Sequence, residues 1–255
     1  MRFSVREVEY GPCPYLGGRV WRVEEFSALQ FDPAAYESLL ASGWRRSGYS
    51  FYRTICPLCE LCTPLRLDAR AFEPSKSQRR LERLNADLGL ELLPPDFSEE
   101  RYDLYRRYIR FQHGAEGEPS DEARASYAAF LLEGPFDTTA VLEYRDPGGT
   151  LLAAGYVDIL PEGVSSIYFA FDPGAARRSL GTWSVLRETR LAEELGKRYY
   201  YLGFWVPGAT KMDYKAHFAP FETARNGIWT PRSGRDEALA ELLAPKAAAG
   251  VGDAP

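Results

Sequence analysis

The chain has 255 residues, of which 45% are apolar and 14% aromatic, enough for one large domain or two modest ones. No stretch reaches the roughly 18 apolar residues that a membrane span needs, and we see no secretory signal at the N-terminus. We therefore expect a cytoplasmic protein without a membrane partner. The net charge of −5 argues against a nucleic-acid partner unless basic residues are clustered.

The first third of the chain is predicted to be mostly irregular, because it is rich in Gly, Pro, Cys and aromatic residues. Asp32 can cap a short helix that begins at Pro33 and runs to about Ala41. A second helix is predicted over Ser77–Leu88 and is stopped by Gly89.

Pro94 and Pro95 break the chain after this helix. We place a domain boundary here, between an N-terminal domain, residues 1–94, and a C-terminal domain, residues 95–243. The last residues, 244–255, are rich in Ala and Gly and are predicted to form a disordered tail.

The C-terminal domain has an informative order of predicted elements: two helices, three strands, a helix and a strand. Ser98 and Ser120 can cap the two helices. The later elements are predicted at Thr139–Tyr144, Leu151–Leu160, Val164–Phe171, Ser179–Leu195 and Tyr199–Val206. Short turns favour an antiparallel meander of the first three strands.

This order is the layout of the GNAT acyltransferase core. The predicted fold class is α+β, with a small Cys-containing N-terminal region joined to a GNAT-like core, a mixed and mainly antiparallel sheet flanked by helices.

The loop before the long C-terminal helix is predicted not to hold coenzyme A. GNAT enzymes carry Gln/Arg-x-x-Gly-x-Gly/Ala here, and its N–H groups cradle the pyrophosphate. This chain has Arg178 and Gly181 in place, but Trp183 stands where a small residue is needed. Trp183 as a plain core residue is the alternative, and it disfavours coenzyme A equally. We therefore expect another acyl donor, and aminoacyl-tRNA is the candidate.

The four cysteines are Cys13, Cys56, Cys59 and Cys62. Four thiolates with this close spacing are typical of a zinc site or an iron–sulfur cluster, and the sequence does not choose between the two. Structural disulfides are the alternative, which the expected cytoplasmic location disfavours.

A basic cluster lies at the start of the second predicted helix and just before it, and we interpret it as a tRNA-binding surface. Its members are Lys76, Arg79, Arg80 and Arg83. The alternative is a helix face that is simply solvated.

Several strings together resemble the arginyl-tRNA–protein transferase family, with the bacterial aspartate/glutamate leucyltransferases as the more similar branch. The resemblance extends from about Pro12 to Trp229. It is carried by Cys13-Pro14-Tyr15-Leu16, Gly43-Trp44-Arg45-Arg46-Ser47-Gly48, the Cys56 run, Pro74-Ser75-Lys76-Ser77-Gln78-Arg79-Arg80, Phe171-Asp172-Pro173, Ser179-Leu180-Gly181-Thr182, Tyr201-Leu202-Gly203 and Met212-Asp213-Tyr214-Lys215.

The resemblance implies transfer of leucine, or less readily arginine, from its tRNA to the N-terminal Asp or Glu of a protein. Such a tag marks the protein for degradation by an N-degron pathway. Gly17, Gln112 and the stretch from Gly114 to Ala123 depart from the family pattern, which bears on donor and acceptor preference more than on the reaction.

Two residues are candidates for the chemistry of the transfer. Asp158 could hold or deprotonate the acceptor amine, or it could be a solvent-facing residue of an edge strand. Tyr168 could donate a hydrogen bond to the oxyanion, or it could be an aromatic packed in the sheet.

Another set of residues is predicted to bind donor or acceptor. Arginines suit an acidic N-terminal residue because a planar guanidinium pairs well with a carboxylate. Arg45 and Arg46 are the leading candidates, and Tyr214 could stack on the terminal adenine. The full predicted set is Arg45, Arg46, Ser47, Ser179, Lys211, Tyr214 and Lys215.

Three other functions are compatible with parts of the sequence. An acetyl-coenzyme A N-acetyltransferase would bind coenzyme A. A metal-stabilised RNA-binding module would bind tRNA with or without an amino acid and would transfer nothing. A redox or metal sensor would make any transfer depend on the state of the cysteines.

Overall fold

The computed structural model describes residues 3–114 and 119–244. The first described residues form a four-stranded antiparallel sheet in the order β1-β2-β4-β3. Its strands are β1 (Arg6–Pro12), β2 (Val20–Ser27), β3 (Trp44–Ser47) and β4 (Ser50–Thr54). The prediction of an irregular first third was therefore wrong. These strands are short, and the central pairing of β2 with β4 joins residues such as Val23 and Thr54 that are distant in sequence.

Helix α1 (Pro33–Leu40) packs on this small sheet through an aromatic cluster. Asp32 caps it as predicted, because its side chain accepts a hydrogen bond from Ala34 N at 3.0 Å. Tyr36 and Phe51 are buried between the helix and the sheet.

The second sheet has eight strands in the order β12-β11-β5-β10-β9-β8-β7-β6. Neighbouring strands are antiparallel except β9 and β10, which are parallel. The strands are β5 (Thr63–Asp68), β6 (Gly89–Leu93), β7 (Thr139–Arg145), β8 (Leu151–Ile159), β9 (Gly163–Phe171), β10 (Tyr199–Trp205), β11 (Phe221–Arg225) and β12 (Ile228–Arg232).

Helices flank this sheet, which confirms the predicted α+β class with a mixed, mainly antiparallel sheet. The helices are α2 (Lys76–Leu84), α3 (Glu99–His113), α4 (Asp121–Leu131), α5 (Leu180–Glu194), α6 (Thr210–Asp213) and α7 (Arg235–Leu243). Ser75, Ser98 and Ser120 each accept a backbone N–H bond at the start of α2, α3 and α4. The element order predicted for the C-terminal half is also confirmed.

Two strands from the first 94 residues belong to the large sheet. Strand β5 lies between β10 and β11, and β6 pairs with β7. The predicted boundary at residue 94 is thus crossed by backbone hydrogen bonds, and Pro94 follows directly on the end of β6. Of the predicted tail, residues 245–255 lie outside the described residues.

Strands β9 and β10 separate partway along their length. They pair over Gly163–Ser165 and Tyr199–Tyr201, and β10 then has a register shift at Gly203, whose φ is +87°. A left-handed φ of this kind favours glycine. The separation opens the sheet at its centre. Within the described residues, no helix has both the length and the apolar character to cross a bilayer.

Candidate active site

A cavity of about 460 Å³ lies where β9 and β10 separate. Its walls come from both strands, from α5 and α3, and from the small sheet. Six of the predicted site residues line it: Arg45, Arg46, Tyr168, Lys211, Tyr214 and Lys215. The structure therefore brings residues from distant parts of the sequence together in one cavity.

Arg46 and Asp158 form a buried ion pair behind this cavity. Arg46 Nε donates to Asp158 Oδ2 at 2.6 Å, and Nη2 contacts the other carboxylate oxygen. Thr139 Oγ1 donates to the same carboxylate at 2.8 Å. Neither charged side chain has any exposed area.

The ion pair leaves Asp158 badly placed as a base. The carboxylate is saturated with donors and does not line the cavity. The predicted alternative, a solvent-facing residue on an edge strand, is wrong as well, because β8 lies inside the sheet. Asp158 instead holds Arg46 between the two sheets.

Arg45 is a buried cation without an anionic partner among the described residues. Its side chain lies beside the Phe204 ring, and Nη1 donates weakly to Ser165 Oγ at 3.5 Å. Its Nε and Nη2 atoms are buried without a hydrogen-bond partner among the residues described. Burial lowers the pKa of Arg45, although an arginine remains charged at neutral pH. An unsatisfied guanidinium in a cavity wall is a site for an anion.

Lys215 lies close to Arg45 in the same wall. Its Nζ donates to Leu202 O at 2.6 Å. A methyl group built on Gly203 would be 3.3 Å from Lys215 Nζ and 3.9 Å from Arg45 Nη2, so both cations border this glycine. Burial, and then the charge of Arg45, lower the pKa of Lys215 to about 7. The two cations repel each other until an anion lies between them.

The remaining predicted residues divide into two groups. Tyr168 packs edge-on against Tyr105 and also borders the cavity, so both of its predicted roles fit the structure. Lys211 Nζ donates to Gln112 O at 2.6 Å, at the rim formed by α3. Ser47 and Ser179 are not among the cavity-lining residues.

A buried acid close to the cavity was missed by the sequence analysis. Glu188 on α5 accepts hydrogen bonds from the hydroxyls of Tyr200 at 2.6 Å and Tyr144 at 3.1 Å. Burial raises its pKa to about 7, against the lowering effect of the two hydroxyls. The available signal was an acidic residue among the apolar positions of an amphipathic helix, between Val185 and Leu191.

The four cysteines come from two segments that meet beside the cavity. The pKa of Cys62 is raised to about 12 by burial and then by the nearby thiols of Cys56, Cys59 and Cys13. Sulfur donors of this number suit zinc or an iron–sulfur cluster. Among residues 3–114 and 119–244, however, no three His, Cys, Asp or Glu side chains are arranged as metal ligands. The number and type of thiols fit a metal site, but their positions in the structure do not form one. Metal binding therefore stays a prediction.

A second cavity, of about 500 Å³, lies on the other side of the cysteine segment. Its arginines are paired: Arg53 with Glu24, Arg225 with Glu60, and Arg232 with Glu241. Because these cations are already neutralised, we place the active site in the cavity of Arg45 instead.

The predicted tRNA-binding residues are all exposed on α2. Arg79 and Arg83 also line a groove of about 430 Å³ between α2 and α5, together with Arg187 and Arg190. Trp183 lines the base of this groove and packs edge-on against Tyr144, so it is a core residue. The expectation that coenzyme A does not bind stays a prediction.

Comparison with known proteins identifies the family. The model described as arginine-tRNA-protein transferase, N terminus, matches residues 11–80, and the model described as its C terminus matches residues 100–225. The "aspartate/glutamate leucyltransferase" of Dinoroseobacter shibae is 40% identical, over 86% of this chain and 80% of that protein. The protein of the same name from Parvibaculum lavamentivorans is 39% identical, over 86% of this chain and 90% of its own.

Solved structures align more distantly. FemX is 8% identical, with a TM-score of 0.48, over 94% of this chain and 90% of that chain. The two family models together match most of the sequence, and the resemblance predicted from the sequence motifs is confirmed. This chain belongs to the arginine-tRNA-protein transferase family.

Proposed function

We propose that this chain transfers leucine from Leu-tRNA to the α-amine of proteins that begin with Asp or Glu, in the cytoplasm, and so marks them for an N-degron pathway. Relatives at 39–40% identity are named for this activity, which makes the chain an aminoacyltransferase. The cavity at the divergence of β9 and β10 is the proposed active site.

The single observation that carries the proposal is the unpaired guanidinium of Arg45. Its two orphaned nitrogens and the nearby Lys215 ammonium provide donors for one carboxylate. An acidic N-terminal side chain satisfies these donors and removes the repulsion between the cations. An amide or a methyl side chain would leave the buried charge uncompensated. The site thus selects acidic acceptors by the cost of leaving Arg45 unpaired.

The cavity favours leucine over arginine as the transferred residue. Its described lining contains Arg45, Arg46, Lys211 and Lys215, and no Asp or Glu. A transferred arginine would therefore add a cation to a positively charged site. Leucine requires an apolar wall, which is provided by Ile167, Phe169, Val185, Leu202 and Met212.

The tRNA is proposed to lie along α2, with its acylated end reaching the cavity. Exposed cations contact phosphates, and the groove beside Trp183 adds two arginines from α5. The added pair, Arg187 and Arg190, is partly neutralised by Glu194 and Glu82. Attraction to tRNA is thus local, in spite of the negative net charge.

The chemistry needs positioning more than activation. The α-amine has a reference pKa of about 7.7–8.0, so part of it is neutral near pH 7. Its lone pair attacks the ester carbonyl, and the bond to the ribose oxygen breaks as the amide forms. Tyr168 is proposed to donate to the oxyanion from β9.

A metal or cluster at Cys13, Cys56, Cys59 and Cys62 is proposed as a structural group. It would cross-link the segments that bear Tyr15 and Leu61, which pack against β10 beside the cavity. An absorbance spectrum of anaerobically purified protein, with metal analysis, separates zinc from an iron–sulfur cluster.

The test offers radiolabelled Leu-tRNA and Arg-tRNA separately, with peptides that begin with Asp, Glu, Asn or Ala. We expect incorporation from Leu-tRNA into the Asp and Glu peptides. Incorporation from neither tRNA refutes the proposal, and binding of coenzyme A in calorimetry with acetyl transfer would favour an N-acetyltransferase.

Arg45→Met tests the recognition itself. We expect kcat/KM for the Asp peptide to fall at least about 30-fold, since losing one partner of a buried charge pair costs about 2 kcal/mol or more. The matched control is Arg53→Met, which removes a partly exposed arginine that is paired with Glu24 outside the cavity. If the two variants have equal kcat/KM for the Asp peptide, Arg45 does not bind the acceptor.

A further inference from the structure

A tyrosine hydroxyl connects the wall of the cavity to a buried carboxylate. Tyr200 on β10 lines the cavity, and its hydroxyl donates to Glu188 Oε2 at 2.6 Å. Glu188 does not line the cavity and is only 1% exposed. The Tyr200 hydrogen bond therefore leads from the cavity to one buried carboxylate.

We propose that Glu188 is the proton acceptor of the transfer reaction and that Tyr200 conducts the proton to it from the cavity. The inference rests on the proposed function. When the neutral amine attacks the ester carbonyl, its nitrogen must lose one proton to become an amide. That proton passes to the Tyr200 hydroxyl as Tyr200 passes its own proton to Glu188. After the ester C–O bond breaks, Glu188 returns a proton by the same path to the ribose oxygen, so the count balances.

The surroundings of Glu188 suit this role. The groups that face it are the hydroxyls of Tyr144 on β7 and Tyr200 on β10, Tyr214 after α6, and the Arg187 charge beside it on α5. Burial raises the pKa of Glu188 to about 7, while both hydroxyl bonds and Arg187 lower it. A carboxylate with a pKa near the working pH both takes up and returns a proton readily.

The carboxylate has no ion-pair partner among the described residues, unlike the other acids buried in this sheet. Asp158 is paired with Arg46, and Glu143 with Arg101 and Arg145. Glu188 is bonded to neutral hydroxyls instead, which leaves both protonation states accessible.

The path is tested with two tyrosines that contact the same carboxylate. Tyr200→Phe breaks the path from the cavity, and we expect kcat to fall about 100-fold, the usual contribution of acid–base catalysis, with little change in KM. Tyr144→Phe removes a hydroxyl that does not reach the cavity. It is expected to keep most of kcat and to move the midpoint of the kcat–pH profile to higher pH, because that hydroxyl lowers the Glu188 pKa.

Glu188→Gln is expected to lower kcat about as much as Tyr200→Phe does. It should also abolish the change in kcat that the wild-type protein shows near pH 7. Carboxyl NMR of the wild-type protein, with Glu188 assigned by this variant, should show a titration near pH 7. The proposal is overturned if Tyr200→Phe and Tyr144→Phe have equal kcat, or if Glu188 titrates at its ordinary pKa. These results would refute the proton path alone, because the wild-type protein would still transfer leucine. If the proposed function is wrong, the wild-type protein itself transfers no leucine.

Discussion

Lys215→Met should make the protein more stable and less active. Lys215 has its pKa lowered from 10.5 to about 7, by burial and by Arg45. A shift of this size corresponds to a cost on the order of 5 kcal/mol at about 1.4 kcal/mol per pKa unit. Part of the side chain still faces the cavity, so we reduce this to about 2–3 kcal/mol. Methionine removes the charge and keeps the apolar length of the side chain.

The substitution also leaves Leu202 O without the Lys215 ammonium, which costs about 1 kcal/mol. The net gain is about 1–2 kcal/mol, or about 2–8 °C in Tm for a chain of this size. Between pH 7 and pH 10.5, Lys215 is protonated in the unfolded chain and largely neutral in the folded one. Lys215 therefore makes the free energy of unfolding of the wild-type protein rise with pH across that window. The variant should lack this rise.

The assay is thermal unfolding at pH 6, 7 and 9, together with leucine transfer to an Asp peptide. The matched control is Lys197→Met, since Lys197 is partly exposed and donates to Pro161 O outside the cavity. A Tm at or below that of the wild type, or an unchanged dependence on pH, would refute the view that Lys215 is a strained buried cation. Retained transfer to the Asp peptide would refute its part in acceptor binding.

Three further predictions concern other parts of the site. Asp158→Asn should destabilise the protein by about 3–5 kcal/mol in chemical denaturation, because it leaves the buried Arg46 charge uncompensated. Gly203→Ala should lower kcat/KM for acidic peptides and also lower Tm, since the new methyl group crowds Lys215 Nζ at 3.3 Å and alanine is strained at a φ of +87°. Arg79→Ala combined with Arg83→Ala should weaken tRNA binding and reduce the slope of log K against log salt by about 0.7–0.9 per lost phosphate contact, with kcat at saturating tRNA preserved.

Each of the three has an outcome that contradicts it. A stable Asp158→Asn protein with a kcat–pH profile shifted relative to wild type would restore Asp158 as the base. Unchanged acceptor kinetics in Gly203→Ala would separate the two cations from the acceptor site. The control for the double variant is Arg225→Ala, which removes a partly exposed arginine paired with Glu60. If the double variant keeps the wild-type salt slope, or if Arg225→Ala weakens tRNA binding as much, α2 is an ordinary solvated helix face.

The sequence alone determined the features that depend on neighbouring residues. Helix starts at Asp32, Ser98 and Ser120 follow from side chains that reach their own first turn, so local chemistry suffices to place them. The order of helices and strands after residue 95 follows from periodicity and short turns, and the family from the order of its motifs.

The tertiary structure decided which of two adjacent arginines is available to substrate. Arg45 and Arg46 are equivalent in the sequence motif, but successive residues of a strand face opposite sides. Both arginines line the cavity, but Arg46 is paired with Asp158, 112 positions away, whereas Arg45 has no anionic partner among the described residues. The small sheet and the hydrogen bond between Tyr200 and Glu188 also depend on contacts that only the fold creates. Whether a polar group is satisfied depends on partners brought close only by folding, so no local pattern reveals it.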